Sequence, residues 1–148
     1  MNITGLYEIE DDSYRYKMPE IISCIEGRGN GIKSVILNIN DIAKSLYRDA
    51  NEISKYLSLS LNTPMKYNKK EKRLVLNGEF TKTQLSESLK KYIQQYIICN
   101  QCSLPETHYK IKTSIRKICN ACGYRQKLHL DDSNEKLNKY IIKQKDIV

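Results

Sequence analysis

The sequence predicts an α+β fold, in which a small mixed α/β core is followed by a C-terminal four-cysteine zinc ribbon. Two C-x-x-C pairs predict the ribbon, and short β-branched runs that alternate with helical apolar patterns predict the core. We divide the chain into a flexible N-terminal arm (1–18), the core (19–97), the ribbon (98–130) and a C-terminal extension (131–148).

The two cysteine pairs predict the metal site most directly. The ligands are Cys99, Cys102, Cys119 and Cys122. Two thiolates on each of two tight turns complete a closed tetrahedron around one structural zinc ion, which has no open position for a substrate. A thioredoxin-like redox motif is the alternative, but that motif comes singly and opens a helix.

The composition bounds the class of protein. The chain has 148 residues, a net charge of +8 and a single cysteine, Cys24, outside the zinc set. The charge favours nucleic acid or another anionic partner, although solvated lysine-rich faces would give the same number. We expect a reducing compartment, no secretory signal and no membrane span.

The N-terminal third predicts an arm and a hairpin. The run Tyr14–Pro19 enters the fold extended, since proline disfavours a helix at the residue before it. Strands over Ile21–Ile25 and Ser34–Ile39 flank a loop with three glycines, Glu26–Lys33. That loop is either a phosphate-approaching backbone turn or a plain hairpin tip, and it lacks the residues of a P-loop.

Two short helices are predicted next, the first capped by Asn38. In the second helix we expect Ser54, Lys55 and Ser58 to face outward. The inward residues are Ile39, Ile42, Ala43 and Leu46 of the first helix and Ile53, Tyr56, Leu57 and Leu61 of the second. A DNA-binding helix-turn-helix is an alternative, but the second helix is poor in side chains that read bases.

A second β section and a long helix complete the core. Strands over Pro64–Tyr67 and Arg73–Leu76 flank a basic tip. A capping box at Thr81 and Gln84 then begins a helix that continues to Ile97 and the ribbon. In the ribbon we predict strands at Tyr109–Lys112 and Tyr124–Leu130 and surface positions for His108 and His129. The pattern of Glu135–Lys145 does not decide between helix and strand.

Several of these motifs together resemble the N-terminal domain of eukaryotic translation initiation factor 5. They are Tyr14–Pro19, Glu26–Lys33, Ile42–Leu46, the block from Ile98, Pro105–Thr107 and Ala121–Arg125. The β subunit of initiation factor 2 is a sister family. It shares the core and ribbon but lacks the arm and the glycine loop.

The resemblance implies a core similar to initiation factor 1 and a GTPase-activating role in trans, without stand-alone enzymatic activity. The partners would be the GTP-bound γ subunit of initiation factor 2, initiator tRNA and the small ribosomal subunit, and the factor would be cytoplasmic and monomeric. Arg15 matches the proposed arginine finger, and Lys33 and Lys55 match lysines tied to the same activity.

The resemblance also implies nucleic-acid contacts, through Arg28, Asn30 and Gly31 of the first loop and through Lys69, Lys70, Lys72 and Arg73 of the second. We expect the two loops to lie at one end of the domain. The family carries a further C-terminal helical domain, so the chain is either an excised domain or a short form. A β-subunit-like binding module and a zinc-ribbon DNA-binding protein remain as alternatives.

Overall fold

The first sheet has four short antiparallel strands. They are β1 (Ser23–Glu26), β2 (Lys33–Ile36), β3 (Met65–Asn68) and β4 (Arg73–Asn77), in the order β1-β2-β4-β3. The structure is a computed structural model that describes residues 3, 13, 16–27, 29–111, 115–128 and 135–147. Ile36 pairs with Leu74, and Ser34 pairs with Leu76, so one face of the central strands is fully buried.

A serine in this buried face has a structural role. The Ser34 hydroxyl donates to the Gly78 carbonyl (2.8 Å) and accepts the Phe80 amide (2.8 Å). Gly78 has a φ of +111°, which favours glycine. One hydroxyl therefore satisfies both sides of the turn that leaves β4.

The prediction that the two loops lie at one end of the domain is wrong. Lys33, which follows the glycine loop, pairs with Asn77 at the end of β4, whereas the lysine loop (69–72) leads into Arg73 at its start. Because hairpin loops alternate between the ends of an antiparallel sheet, this strand order separates them.

Helices α1 (Ile39–Leu46) and α2 (Ala50–Ser60) bury the predicted apolar faces, except that Leu61, which follows α2, is half-buried. The cap predicted at Asn38 is wrong in its mechanism, since its side chain makes no bond to the helix. Instead, the Asn38 amide accepts the Ile22 N–H (2.9 Å) and donates to the Glu20 carbonyl (2.7 Å). It ties the chain before β1 to the start of α1. Asp49 does cap α2 through the Asn51 amide (2.8 Å).

The outward face predicted for α2 is wrong at Ser54. This residue is fully buried, and its hydroxyl donates to the Ala50 carbonyl (2.7 Å), which removes the cost of burying it. Lys55 and Ser58 are half-exposed. Helix α2 contacts α1, β3, α3 and α4, so it is not a free recognition helix of a DNA-binding motif.

Helix α3 (Lys82–Tyr92) begins with the predicted capping box, in which Thr81 and Gln84 each bond the other's backbone amide. The helix continues into a π-helical turn, Ile93–Ile97, that leads directly to Cys99. The predicted continuity from the core to the ribbon is therefore confirmed, with a change of helical pitch at the junction.

The second sheet forms the ribbon. Its strands are β5 (Thr107–Ile111), β6 (Ile115–Cys119) and β7 (Arg125–Lys127), in that order and antiparallel. The final strand is shorter than predicted, and residues 129 and 130 lie outside the described part. Helix α4 (Glu135–Ile147) resolves the undecided segment, and it packs on α2 with Leu137 and Ile141 buried.

One apolar cluster runs through all these elements. It extends from Ile3 and Met18 of the predicted arm, through both helical layers, to Ile115 of the ribbon and Ile141 of α4. The four-part division of the chain stays a prediction. None of the helices in the described ranges is long and apolar enough to cross a membrane.

The two hydrogen bonds of the Asn38 amide, to Ile22 and Glu20, form a bridge between the chain before β1 and the start of α1. This bridge can be distinguished from a helix cap by mutation. Aspartate is as good a helix cap as asparagine, and Asn38→Asp keeps an acceptor for Ile22, but it cannot donate to Glu20. We therefore expect a loss of about 1–3 kcal/mol in the free energy of unfolding. Urea titration measures this, with Asp49→Asn as the control, since that change keeps the acceptor of a true cap. An Asn38→Asp variant as stable as the parent would contradict the bridge.

Candidate metal centre and contact surfaces

The two cysteine turns have the same geometry, twenty residues apart. The Ser103 amide donates to the Cys99 carbonyl (2.9 Å), and the Gly123 amide donates to the Cys119 carbonyl (3.0 Å). Ser103 and Gly123 both have a positive φ, of 61° and 78°. In each turn an amide two residues on, that of Gln101 or Ala121, donates to the first sulfur.

The four sulfur atoms lie within 4.8 Å of one another, and the pairs Cys99–Cys122 and Cys102–Cys119 are each 3.6 Å apart. Ligands of a tetrahedral zinc ion, with Zn–S bonds of about 2.3 Å, lie about 3.8 Å from each other. The cluster therefore fits one metal ion of this size. Cys24, on β1, is not part of it.

The environment of Cys99 favours the thiolate that a metal requires. Burial opposes ionisation, but the Cys102 and Gln101 backbone amides outweigh it and lower the pKa of Cys99 to about 7. All four positions around the metal would be filled by protein, so the ion holds the turns together and activates no water.

A half-buried arginine joins the ribbon to the core. Arg48, in the turn between α1 and α2, donates to the Thr107 carbonyl (3.0 Å), the Thr107 hydroxyl (3.1 Å) and the Tyr96 carbonyl (3.1 Å). Its guanidinium carbon lies 4.3 Å from the centre of the Tyr109 ring. We call the group of Arg48, Glu52, Tyr92, Thr107 and Tyr109 the polar joint.

Glu52 is the acidic member of the polar joint. Its carboxylate accepts hydrogen bonds from the hydroxyls of Tyr92 and Tyr109, the latter at 3.0 Å. Burial raises the pKa of Glu52, and the two hydroxyls and the charge of Arg48 partly oppose that rise. Sequence analysis missed this residue. Its position beside Ile53 and four residues before Tyr56 places it on the apolar stripe of α2, and that was the available signal.

Two further buried polar residues secure the ribbon and α4. Lys117 is 2% exposed, and its ammonium donates to the Gln95 (3.0 Å) and Ile98 (2.7 Å) carbonyls around the π-helical turn. Burial lowers the pKa of Lys117 to about 8. The Tyr96 hydroxyl donates to the buried amide oxygen of Asn138 in α4 (2.8 Å).

The residues predicted to contact RNA and the GTPase are spread over the surface. Lys33 is exposed and Lys55 half-exposed, and neither side chain makes a hydrogen bond or ion pair within the described part of the chain. Arg15, Arg28 and the side chain of Asn30 lie outside the described residues. Three lysines of the second loop are exposed: Lys69, Lys70 and Lys72.

Arg73 and the glycine loop are more constrained. Arg73 forms ion pairs with Glu26 and Glu71, both at 3.1 Å, so part of its charge is neutralised within the sheet. Gly31 ends a 3-10 turn, Gly29–Gly31, and a Cβ on Gly27 would lie 2.2 Å from the Gly31 carbonyl oxygen. The loop closes only with glycine at position 27.

A cleft of about 510 Å³ lies between the N-terminal segment, the end of α1 and the first ribbon loop. Ile3, Tyr16, Tyr47 and Glu106 are among its lining residues. The Tyr16 hydroxyl donates to the Glu106 carboxylate, and the Ile3 amide donates to the Tyr16 carbonyl (2.9 Å). His108 lines the cleft and is exposed, as predicted, whereas His129 is outside the described residues.

The α/β core and the ribbon, with its four clustered cysteines, define a small domain that carries a candidate metal site. A family model described as a domain found in initiation factor 2B and initiation factor 5 matches residues 7–125. The chain therefore belongs to this family of translation initiation factors, which confirms the resemblance.

Curated relatives match almost the whole chain. It is 36% identical over 146 residues to eukaryotic translation initiation factor 5 of Mus musculus, covering 97% of this chain and 33% of the relative. The Zea mays factor is 39% identical over 141 residues, covering 94% and 31%. The Dictyostelium discoideum factor is 36% identical over 137 residues, covering 92% and 34%. The chain thus spans about a third of the length of these relatives.

Replacing one ligand tests the metal centre. Cobalt(II) added to the parent chain should give the thiolate-to-metal absorption of a four-sulfur site at one ion per chain. Cys102→Ser should lose this spectrum, because a hydroxyl does not ionise at neutral pH. Cys24→Ser is the matched control and should keep it. A metal-loaded Cys102→Ser spectrum identical to that of the parent would contradict the ligand set.

Arg48 makes a second prediction. Arg48→Ala should lower the free energy of unfolding by about 2–3 kcal/mol, since it leaves the buried Thr107 and Tyr96 acceptors without their donor. Arg48→Lys keeps the charge but cannot reach the three acceptors in a fork, so it should lose a substantial part of the same amount. Denaturation with zinc present measures both. Arg116→Ala, at an exposed position, is the control, and its free energy of unfolding should stay within about 0.5 kcal/mol of the parent. If Arg48→Lys is as stable as the parent, then the forked guanidinium contacts are not needed.

Proposed function

We propose that this chain acts as a GTPase-activating factor in translation initiation. Its target is the GTP-bound γ subunit of initiation factor 2, on a small ribosomal subunit that carries initiator tRNA in the cytoplasm. The observation that carries this proposal is the family match, which spans residues 7–125 and so includes the Tyr14–Pro19 motif.

Arg15 is the residue proposed to act on the nucleotide. A guanidinium inserted in trans neutralises the charge that develops on the γ-phosphoryl oxygens, and arginine suits this task because it presents a fork of donors. The chain then needs no catalytic centre of its own, since it completes the active site of the GTPase.

The contacts after Arg15 support delivery from a defined base. Tyr16 is bonded to Glu106, and Met18 is 3% exposed and belongs to the apolar core. An arginine that precedes two anchored residues has a shorter reach than one on a free tail, but a smaller volume to search.

The basic surface is proposed to bind RNA in two separate places. The first loop, with Arg28, Asn30 and Gly31, would meet initiator tRNA, and Lys69, Lys70 and Lys72 would contact phosphates from the other end of the sheet. Arg73 is better suited to holding the sheet together, because Glu26 and Glu71 already pair with it. Lys33 and Lys55 are proposed as point charges that dock the GTPase.

Zinc is the metal we propose for the cysteine cluster. Four thiolates in a tetrahedron select zinc or iron, and a closed structural site is typical of zinc. The metal would fix the ribbon and leave the chemistry to the arginine.

Single-turnover GTP hydrolysis by initiation factor 2, with initiator tRNA on small ribosomal subunits, tests the proposal. The intact chain should accelerate hydrolysis, and Arg15→Ala should lose about 10³-fold or more of that acceleration while still binding. Arg15→Lys should recover little, and Arg116→Ala is the matched control.

Two results would contradict the proposal. Binding without acceleration by the intact chain would leave a module like the β subunit of initiation factor 2. Full acceleration by the Arg15→Ala variant would show that Arg15 is not an arginine finger.

A further inference from the structure

We infer that the ribbon positions the arm: Glu106, which lies between the two cysteine pairs, anchors Tyr16 and thereby sets where Arg15 is presented. This inference rests on the proposed function, and it adds Tyr16 and Glu106 as positioning residues. It is carried by one hydrogen bond between segments 90 residues apart in the chain.

Glu106 is a fixed acceptor because its own backbone is held by the second cysteine turn. The Asn120 amide, next to Cys119, donates to the Glu106 carbonyl (2.7 Å). This bond belongs to the main chain, so changing the side chain of Glu106 leaves it in place.

The residue after Glu106 is held from the core side. The Thr107 carbonyl and hydroxyl both accept from Arg48, and the Thr107 hydroxyl donates to the Ile97 carbonyl (2.6 Å). The loop that carries Glu106 is thus attached to the second cysteine turn, to Arg48 of the polar joint and to the π-helical turn.

Tyr16 is fixed at both its side chain and its main chain. Its ring packs against the apolar core, its hydroxyl donates to Glu106, and its carbonyl accepts the Ile3 amide (2.9 Å). Arg15 is its immediate neighbour in sequence, so fixing Tyr16 fixes one end of the peptide bond that joins the two residues. The hydroxyl of Tyr16 therefore limits the region that the guanidinium can reach.

The variants isolate this one bond. Tyr16→Phe removes the hydroxyl and keeps the ring, and Glu106→Ala removes the acceptor. Glu106→Gln restores an acceptor oxygen and should rescue part of the effect. Tyr124→Phe, on a partly exposed ribbon tyrosine, is the matched control.

The first readout is hydrogen exchange at the Ile3 amide, which requires no GTPase. We expect exchange at least about tenfold faster in Tyr16→Phe and in Glu106→Ala, the shift that follows loss of one hydrogen bond to a charged group. The double variant should be no faster than either single one, because both remove the same bond. Unchanged exchange in both single variants would overturn the anchor.

The second readout is the hydrolysis assay above, titrated to saturation. We expect the plateau rate to fall at least about tenfold in Tyr16→Phe, with the half-saturating concentration unchanged. A partly misfolded protein would instead reach the parent's plateau at a higher concentration. In the Arg15→Ala background, Tyr16→Phe should have no further effect.

The outcomes separate this inference from the proposed function. If the parent accelerates hydrolysis, Arg15→Ala abolishes it and Tyr16→Phe keeps the full plateau, then the positioning role is overturned and the finger stands. If the parent chain does not accelerate hydrolysis, the proposed function fails and the positioning role fails with it.

Discussion

The contact between Arg48 and Thr107 is the interaction on which the arrangement of this domain depends. The ribbon has three short strands, from which Ile115 enters the apolar cluster and Tyr109 and Ile111 pack against it. Arg48 supplies the orientation by bonding the first ribbon strand and the end of the π-helical turn at once. The hydroxyl of Tyr109, in the same strand, donates to the buried carboxyl group of Glu52, so this strand also contacts α2.

The cysteine cluster and the polar joint organise different parts of the domain: the first links the two cysteine turns, and the second attaches the ribbon to the core. The four sulfur atoms that lie within 4.8 Å of one another all belong to the two cysteine turns, so a metal ion bound there would link those turns to each other. Lys117 attaches the middle ribbon strand to the core. Its ammonium group bonds the carbonyls of Gln95, in the π-helical turn, and Ile98, just after that turn. A metal site without an open coordination position can therefore influence function only through the side chains that the ribbon presents.

Features encoded within a few residues of each other were predictable from the sequence. The cysteine spacing, the capping box at Thr81 and Gln84 and the apolar face of α1 all follow from local geometry. Asn38 was misread because its amide bonds a residue 18 positions earlier in the chain. Ser54 was misread because a hydroxyl that bonds the carbonyl four residues earlier can be buried like an apolar side chain. The two basic loops were placed together because the strand order, which separates them, is a tertiary property.

The contact between Tyr16 and Glu106 is of the same tertiary kind, and it shows how a structural ribbon can matter to chemistry elsewhere. An arginine that acts in a partner's active site loses conformational freedom when it binds, and that loss subtracts from the acceleration it can supply. On the proposed function, anchoring Tyr16 during folding would remove part of this loss for Arg15 before the partner arrives. Such an anchor must itself be held in place, and Glu106 is held on two sides: the Asn120 amide bonds its carbonyl, and Arg48 bonds its neighbour Thr107.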